Sequence, residues 1–391
     1  MTGSDPAHNK DGGAAGRSLS AAEKLDWLRL IRSERVGPIT FYRLIERFGR
    51  AGAALERLPE LARRGGGKPP AVCSRAEAEA EMEKIAALGV TLIARGEPDY
   101  PPLLACIEDA PPLLALRGHA SLLPKKAVAV VGARNATIGG RRFARAMAAD
   151  LGREGYLVVS GMARGIDAAA HEGALERGTV AVLAGGVDVP YPPENAALYD
   201  KIREQGALVS EIACGTQPQA RHFPRRNRII SGIARGVVVV EASPQSGSLI
   251  TARLALEQNR DVFAVPGAPG DPRAQGTNGL IRQGAVLTES AADVVAYLAQ
   301  FGQTRLADPG LLFGERDKAG DMVNIENEPS LLAAAQKNIV ENLGLTPLPV
   351  DEIIRCCQFS PAVVLTVLLE LELAGRLERH PGNRVSLLRT A

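Results

Sequence analysis

The middle of this sequence gathers residues suited to holding phosphate. Arg221-His222-Phe223-Pro224-Arg225-Arg226-Asn227-Arg228 precedes the apolar run Val237–Val240, and Ser246-Gly247-Ser248-Leu249-Ile250-Thr251 follows it. From Ile212 to Val240 there is no acidic residue, while Arg221, Arg225, Arg226, Arg228 and Arg235 fall inside. A second acid-free window, Ala110 to Ala149, holds Arg117, Lys125, Lys126, Arg134, Arg141, Arg142 and Arg145. Net charge is only +2, so these windows reflect local segregation and not a basic composition. Two helices opening near Pro224 and Ser248 would add unpaired backbone N–H groups and positive dipole ends at one sheet edge. The pattern suggests a polyanionic ligand; solvated surface charge is the competing reading.

Other chemistries fit less well. Asp167 and His171 stand four apart, a spacing open to a proton-transfer pair, but Asp167 falls in a first helical turn where the dipole favours a carboxylate anyway. Ser160 lacks the G-x-S-x-G elbow of a hydrolase nucleophile. The five histidines are scattered, which disfavours a metal centre, and five cysteines without C-x-x-C spacing disfavour a disulfide framework or a cysteine-rich zinc site. Gly67-Lys68 is followed by Pro69, where a P-loop needs Ser or Thr. The first strand ends in Gly132-Ala133-Arg134 and lacks G-x-G-x-x-G, and the second ends in Ser160-Gly161 where a ribose-binding acid belongs, so NAD is not expected. No cofactor is expected.

The elements that must position these residues are legible from periodicity. Continuous apolar runs at Ala127–Val131, Leu157–Ser160, Val180–Leu183, Ala207–Ser210, Val237–Glu241, Val262–Val265 and Ala285–Leu287 alternate with helical segments. Such runs fit parallel strands covered on both faces, and the fold class is α/β, a doubly wound Rossmann-like sheet that binds ligands beyond the carboxyl ends of its strands. The loops at those ends carry Gly132 and Arg134, Ser160 and Gly161, Gly185 and Gly186, the basic stretch, Ser246-Gly247-Ser248, and Asn278. Glycine there would allow tight turns or close approach of backbone to ligand. Val90–Ala94 and Leu113–Leu116 read as short strands bridged by a proline-rich segment.

Five regions follow: a disordered tail (1–18), a small helical domain (19–88), the Rossmann-like domain (89–301), a linker (302–330) and a C-terminal domain (331–391). In the helical domain, Val36-Gly37-Pro38-Ile39 joins two short helices in the manner of a helix-hairpin-helix or SAM-like unit, or of a plain packing module. The C-terminal domain reads as three helices and a hairpin, a winged helix. Its third helix has no basic residue from Ser360 to Ala374 and is apolar nearly all round, so it is not expected to read duplex DNA. A partner protein or a second copy of the chain is the expected contact, with packing of the module on its own chain the competing reading. The polar N-terminus and the lack of any membrane-length apolar run fit a cytoplasmic protein.

The ordered set Val131-Gly132-Ala133-Arg134, Ser160-Gly161-Met162-Ala163-Arg164-Gly165-Ile166-Asp167, Gly185-Gly186-Val187-Asp188, Tyr191-Pro192, Phe223-Pro224-Arg225-Arg226-Asn227-Arg228-Ile229-Ile230, Ser246-Gly247-Ser248-Leu249-Ile250-Thr251-Ala252 and Gly276-Thr277-Asn278 resembles the DNA-processing protein A (DprA, or Smf) family. The resemblance covers about residues 90 to 300, with Ala133 where many members carry serine. It implies a homodimeric protein without catalytic activity that binds single-stranded DNA independently of sequence. It further implies protection of incoming DNA and loading of the RecA recombinase in natural transformation, during competence. Neither a membrane nor a small-molecule substrate is then expected as a partner. Residues expected at the DNA are Gly132, Arg134, Ser160, Gly161, Gly185, Gly186, Phe223, Arg225, Asn227, Arg228, Ser246, Gly247, Ser248, Thr251 and Asn278. Within them, Phe223 would stack a base. Helical register turns Arg226 toward the core with Ile229 and Ile230 and leaves Arg225 and Arg228 for contact. The competing reading is a nucleotide-processing, phosphoribohydrolase-like enzyme on a related fold. Its Pro-Gly-Gly-x-Gly-Thr loop is absent, the nearest stretch being Pro266-Gly267-Ala268-Pro269-Gly270.

Overall fold

A strand covered by helices on both faces has no polar side to keep in water, and the valine-rich runs of this chain form such strands. The computed structural model describes residues 18–305, 329–380 and 382–388. The expected disordered tail, apart from Ser18, and residues 306–328 of the expected linker lie outside the described residues. Residues 302–305 and 329–330 belong to helices instead.

The described chain opens with α1 (Ala21–Arg32), α2 (Pro38–Phe48), α3 (Ala51–Arg64) and α4 (Arg75–Ala87). Capping boxes built by Ser20 with Glu23 and by Ser74 with Glu77 fix the starts of α1 and α4. Helix α3 has no counterpart in the sequence reading; it carries Pro59 yet buries Ala54, Leu55, Leu58 and Leu61 on one face.

Next come β1 (Thr91–Ala94), α5 (Pro102–Ala105), β2 (Leu113–Gly118), β3 (Ala127–Gly132), α6 (Ile138–Arg153), β4 (Leu157–Ser160), α7 (Ile166–Ala174), β5 (Thr179–Val182) and α8 (Ala196–Gln205). After them run β6 (Ala207–Ser210), α9 (His222–Ile233), β7 (Gly236–Val240), α10 (Gly247–Glu257), β8 (Asp261–Ala264), α11 (Gln275–Arg282), β9 (Val286–Leu287) and α12 (Ala291–Arg305). One sheet takes the order β1-β2-β6-β5-β4-β3-β7-β8-β9. It is parallel from β6 to β9, while β2 pairs antiparallel with β6 and β1 with β2. The two short strands around the proline-rich segment thus extend the main sheet at one edge. Alternate residues of β3 serve opposite faces: Ala129 and Val131 join Ile229, Ile230 and Ala252 of α9 and α10, and Val128 and Val130 join Met147 and Ala170 of α6 and α7.

The C-terminal domain has helices Pro329–Asn342, Val350–Cys356 and Pro361–Leu373 and a three-stranded sheet that includes Leu377–His380 and Arg384–Leu387. Its third helix is apolar all round because it fills two cores. Val364, Val367, Leu368 and Leu371 pack within their own domain, while Leu369 and Leu373 pack with Leu30, Phe41, Leu44 and Leu58 of the N-terminal helices. The expected contact with a partner or second copy is therefore corrected for this face: the chain's own N-terminal domain covers it. The sequence could not show this, because the two surfaces lie some three hundred positions apart and each is simply apolar.

The approach is close enough to require glycine. A Cβ on Gly65 would lie 2.1 Å from the Glu370 carbonyl oxygen, and one on Gly67 would lie 2.2 Å from that of Ala374. Arg376 Nη1 donates to Gly65 O at 3.2 Å, and Arg35 Nη1 donates to Leu373 O at 3.0 Å. Gly65→Ala should therefore cost on the order of 1–3 kcal/mol by overpacking this junction. Denaturant titration checks it, and an unchanged midpoint would show that the two domains do not stay docked in solution.

Candidate functional site

Strands β3 and β7 run side by side from Ala129 opposite Val237 to Gly132 opposite Val240. Strand order reverses between them, so the chain leaving β3 turns into α6 on one face and the chain leaving β7 turns into α10 on the other. A crevice opens at such a switch point in doubly wound sheets. Here it is a depression of about 470 Å³ whose walls include Gly132, Arg134, Phe223, Asn227, Ser246, Gly247, Ser248 and Thr251. A second depression of about 250 Å³ adjoins it, walled by Gly161, Gly185 and Tyr191. Arg134, Ala163, Phe223 and Arg226 line both, so they form the ridge between the two.

That ridge combines charge with an aromatic face. The Arg134 guanidinium carbon lies 5.2 Å from the Phe223 ring centroid and that of Arg226 lies 5.9 Å away, on the scale of cation–π contact. Tyr191, 43% exposed, sets its ring 5.9 Å from that of Phe223. Arg134 is exposed and Arg226 is buried.

Arg226 is held from beneath. Its Nη1 donates to Val182 O at 2.9 Å, and its guanidinium sits where a Cβ of Gly161 would be, only 1.8 Å from Nη1. Burial lowers its pKa to about 10, and Asp167 pulls in the other direction, so it stays charged at neutral pH. Asp167 is itself buried; burial raises its pKa, against the attraction of Arg226 and the amides of Ala163 and Gly161 that donate to its Oδ2. His171 does not bond to Asp167. Its Nδ1 meets Thr179 Oγ1 at 2.8 Å, and because that hydroxyl donates to Val158 O, Nδ1 is assigned as the donor. Nε2 has no partner among the described residues, and burial together with the nearby Arg226 pushes the imidazole pKa down to about 3.

The helix N-termini are not equally open. Glu241 accepts from the Thr137 amide at 2.9 Å and from its hydroxyl, so the start of α6 already faces a carboxylate. At α7, Ile166 N donates to Ala133 O, and Asp167 takes two amides of the preceding loop. At the start of α10 the Ser248 and Leu249 amides bond to Ser246 Oγ and O, but no carboxylate reaches the turn: Ser246 and Gly247 line the larger depression, and nothing lies within 4 Å of where a Gly247 Cβ would be. By contrast, a Cβ on Gly132 would meet Val240 O at 1.8 Å, so that glycine serves close packing of the chain on itself. The expected convergence of helix ends on one ligand narrows to α10.

The remaining expected residues divide. Ser160 is fully buried and donates to Val130 O, Gly186 is buried with its amide on Thr216 O, and Asn278 clasps Gly267 through both amide atoms. None of the three lines either depression. Arg228 is a correction, and Arg225 lies off the crevice. Arg228 is buried between Glu211 and Asp109, and Arg225 is exposed but turned the same way, 3.9 Å from Glu211. Both face the trench beside the N-terminal hairpin. Helix α9 is covered on two sides, so residues 225 and 228 share the face toward Asp109 and Glu211, while 223, 226, 227 and 230 share the face at the crevice. Arg273 and Tyr191, absent from the expected set, line the depressions; Tyr191 stood within the recognised Tyr191-Pro192 pair, whereas Arg273 lies in a loop with no local signature.

Among known proteins, the family model of DNA recombination-mediator protein A matches residues 91–299, that of a DprA-like N-terminal HHH domain 21–84, and that of a DprA winged helix domain 326–383. Protein Smf of Escherichia coli is 43% identical over 295 residues, 74% of this chain and 75% of the relative. The structure of DNA processing protein A from Streptococcus pneumoniae superposes with a TM-score of 0.60 at 32% identity, over 72% of this chain and 98% of the other. A structure of DNA processing protein A from Helicobacter pylori, described for its single-stranded DNA binding mode, gives 0.50 at 27% identity, over 54% and 96%.

Two outcomes follow from the buried groups. Gly161→Ala should push the Arg226 guanidinium off Val182 O and cost on the order of 1–3 kcal/mol by overpacking a buried site; a thermal melt equal to that of the unaltered protein would contradict this placement. For His171 the folded pKa lies below the unfolded value, so its contribution is present above about pH 6.5 and lost as pH falls toward 3. Between pH 6.5 and 5 the parent chain should therefore lose about 1.6 kcal/mol more than His171→Gln, since at pH 6.5 the unfolded histidine is only half protonated and the slope rises toward about 1.4 kcal/mol per pH unit below it. Urea midpoints at the two pH values give the comparison.

Proposed function

The chain belongs to the DNA recombination-mediator protein A family, and on that premise we propose that it binds single-stranded DNA without regard to sequence. The observation that carries the proposal is the Arg134–Phe223 pair at the mouth of the switch-point crevice. A guanidinium for the phosphate and an aromatic face for the base stand within one nucleotide's reach of each other, and neither reads base identity. The start of α10 around Gly247, which no acid covers, supplies a second place for phosphate. Gly132, Gly161 and Gly185 shape the walls, Asn227 holds Gly247 through its carbonyl, and Arg226 adds charge from the floor.

Asp167 lines the crevice, but its Oδ2 takes the Gly161 and Ala163 amides and His171 bonds Thr179 instead, so the proposal includes no catalytic step. It extends, on family membership alone, to protection of incoming DNA in natural transformation, loading of the RecA recombinase, a homodimer and a cytoplasmic location. Among the described residues no helix is long and apolar enough to cross a membrane.

Salt dependence tests the reading. With about four phosphates engaged, log K should fall against log salt with a slope of roughly −3, and arbitrary sequences should bind within a few-fold of one another. Arg134→Ala should make the slope shallower by about 0.7, whereas Phe223→Ala should cost roughly 1–3 kcal/mol and leave the slope alone. Binding that ignores salt, or that survives both substitutions, would refute the assignment.

A further inference from the structure

Of the basic residues in the acid-free window Ala110–Ala149, only Arg134 lines the crevice, leaving Arg141, Arg142 and Arg145 unused. All three lie on α6, and with Ile138 they follow the i, i+3, i+4, i+7 spacing that keeps residues on one helical face. Together with Arg164 they line a third depression, of about 550 Å³, between α6 and α7. Arg164 also lines the depression that holds Tyr191 and Phe223. One arginine is thus common to both hollows, and it links the depression at the Phe223 ridge to the hollow on α6.

Charge and exposure on that stretch fit a flexible polyanion. Arg145 pairs with Glu172, and Arg164 approaches Glu194 at 3.6 Å, so the two acids at the rim are already engaged. Arg141 and Arg142 are exposed and have no ion-pair partner among the described residues. Ile138 is 71% exposed in the same hollow, an apolar surface on which an unstacked base can rest. A folded protein partner would need a larger apolar centre than one isoleucine among four arginines.

We propose that the α6–α7 groove is a second contact site for the same DNA strand, gripping the nucleotides that emerge from the crevice past Tyr191 and Arg164. This rests on the reading of the crevice as a single-strand site, and adds a track that extends the footprint. Its consequence is a dependence on length: oligomers that fill only the crevice should not feel Arg141 and Arg142, and longer ones should.

The test compares thymidine oligomers of about six and about eighteen nucleotides, lengths that bracket common single-strand site sizes. Fluorescence anisotropy would be read on the full chain and on the Arg141→Ala/Arg142→Ala double variant, with matching melting curves as the check on folding. The variant should bind the short oligomer within twofold of the parent and the long one about tenfold more weakly, with a salt slope shallower by about 1.4 for two lost phosphates. Equal weakening at both lengths would place these arginines inside the crevice site and overturn a separate track. Unchanged affinity for the long oligomer would make the groove solvated surface or a protein contact. A parent chain that binds neither oligomer would instead bring down the underlying function, and this track with it.

Discussion

A charged guanidinium inside the central domain is the constraint on which the site depends. Removing charge from water is costly unless hydrogen bonds and an opposite charge compensate; Arg226 has one hydrogen bond, to Val182 O, and the attraction of Asp167, while its Nε has no partner among the described residues. The arrangement reaches into three loops. It requires glycine at 161, it holds Asp167 against the amides of Gly161 and Ala163, and it sets Phe223 one turn away beside Arg134. His171 shows the same influence from a distance, its neutral form favoured by burial and by the arginine's charge.

Around that pair, the protein consumes much of its own anion-binding capacity. Glu241 takes the start of α6, Asp167 takes two amides ahead of α7, and Glu211 with Asp109 neutralises Arg228. What remains for the proposed phosphate contacts is defined by subtraction: Arg134, the turn at Gly247 that no carboxylate covers, and the basic face of α6. Backbone amides already satisfied inside the protein cannot serve a ligand without breaking the bonds that shape the loops. The selectivity of the crevice thus comes from which donors the fold leaves unpaired, more than from the number of basic residues near it.

The outer domains obey a simpler rule. Each small domain has more apolar surface than its own core can hide, and the Pro361–Leu373 helix hides the excess of both by lying between them. Gly65 and Gly67 let the two backbones meet, and the docked pair closes a trench against α9 that contains Arg225 and Arg228. Those arginines pair with Asp109 and Glu211 of the central domain, on the side of α9 away from the crevice.

The alternation of strands and helices, the helical N-terminal domain and the winged helix were legible in the amino-acid order because each is written locally, in continuous apolar runs, caps and turn residues. So was the ligand's charge, since two windows without a single acid need no structure to be noticed. Local pattern failed at α9, where register separates faces but does not say what covers them. Arg228 meets Asp109 and Glu211 from other segments, and Arg226 lies above Gly161 and Val182 from two more. The same holds for the open turn of α10, which is distinguished from α6 only because Glu241 reaches back across 104 positions to Thr137. The type of each residue and its helical face are properties of neighbours in sequence. Its solvation and its counter-charge belong to neighbours in space, and those decide which arginine carries the structure and which is free to meet a ligand.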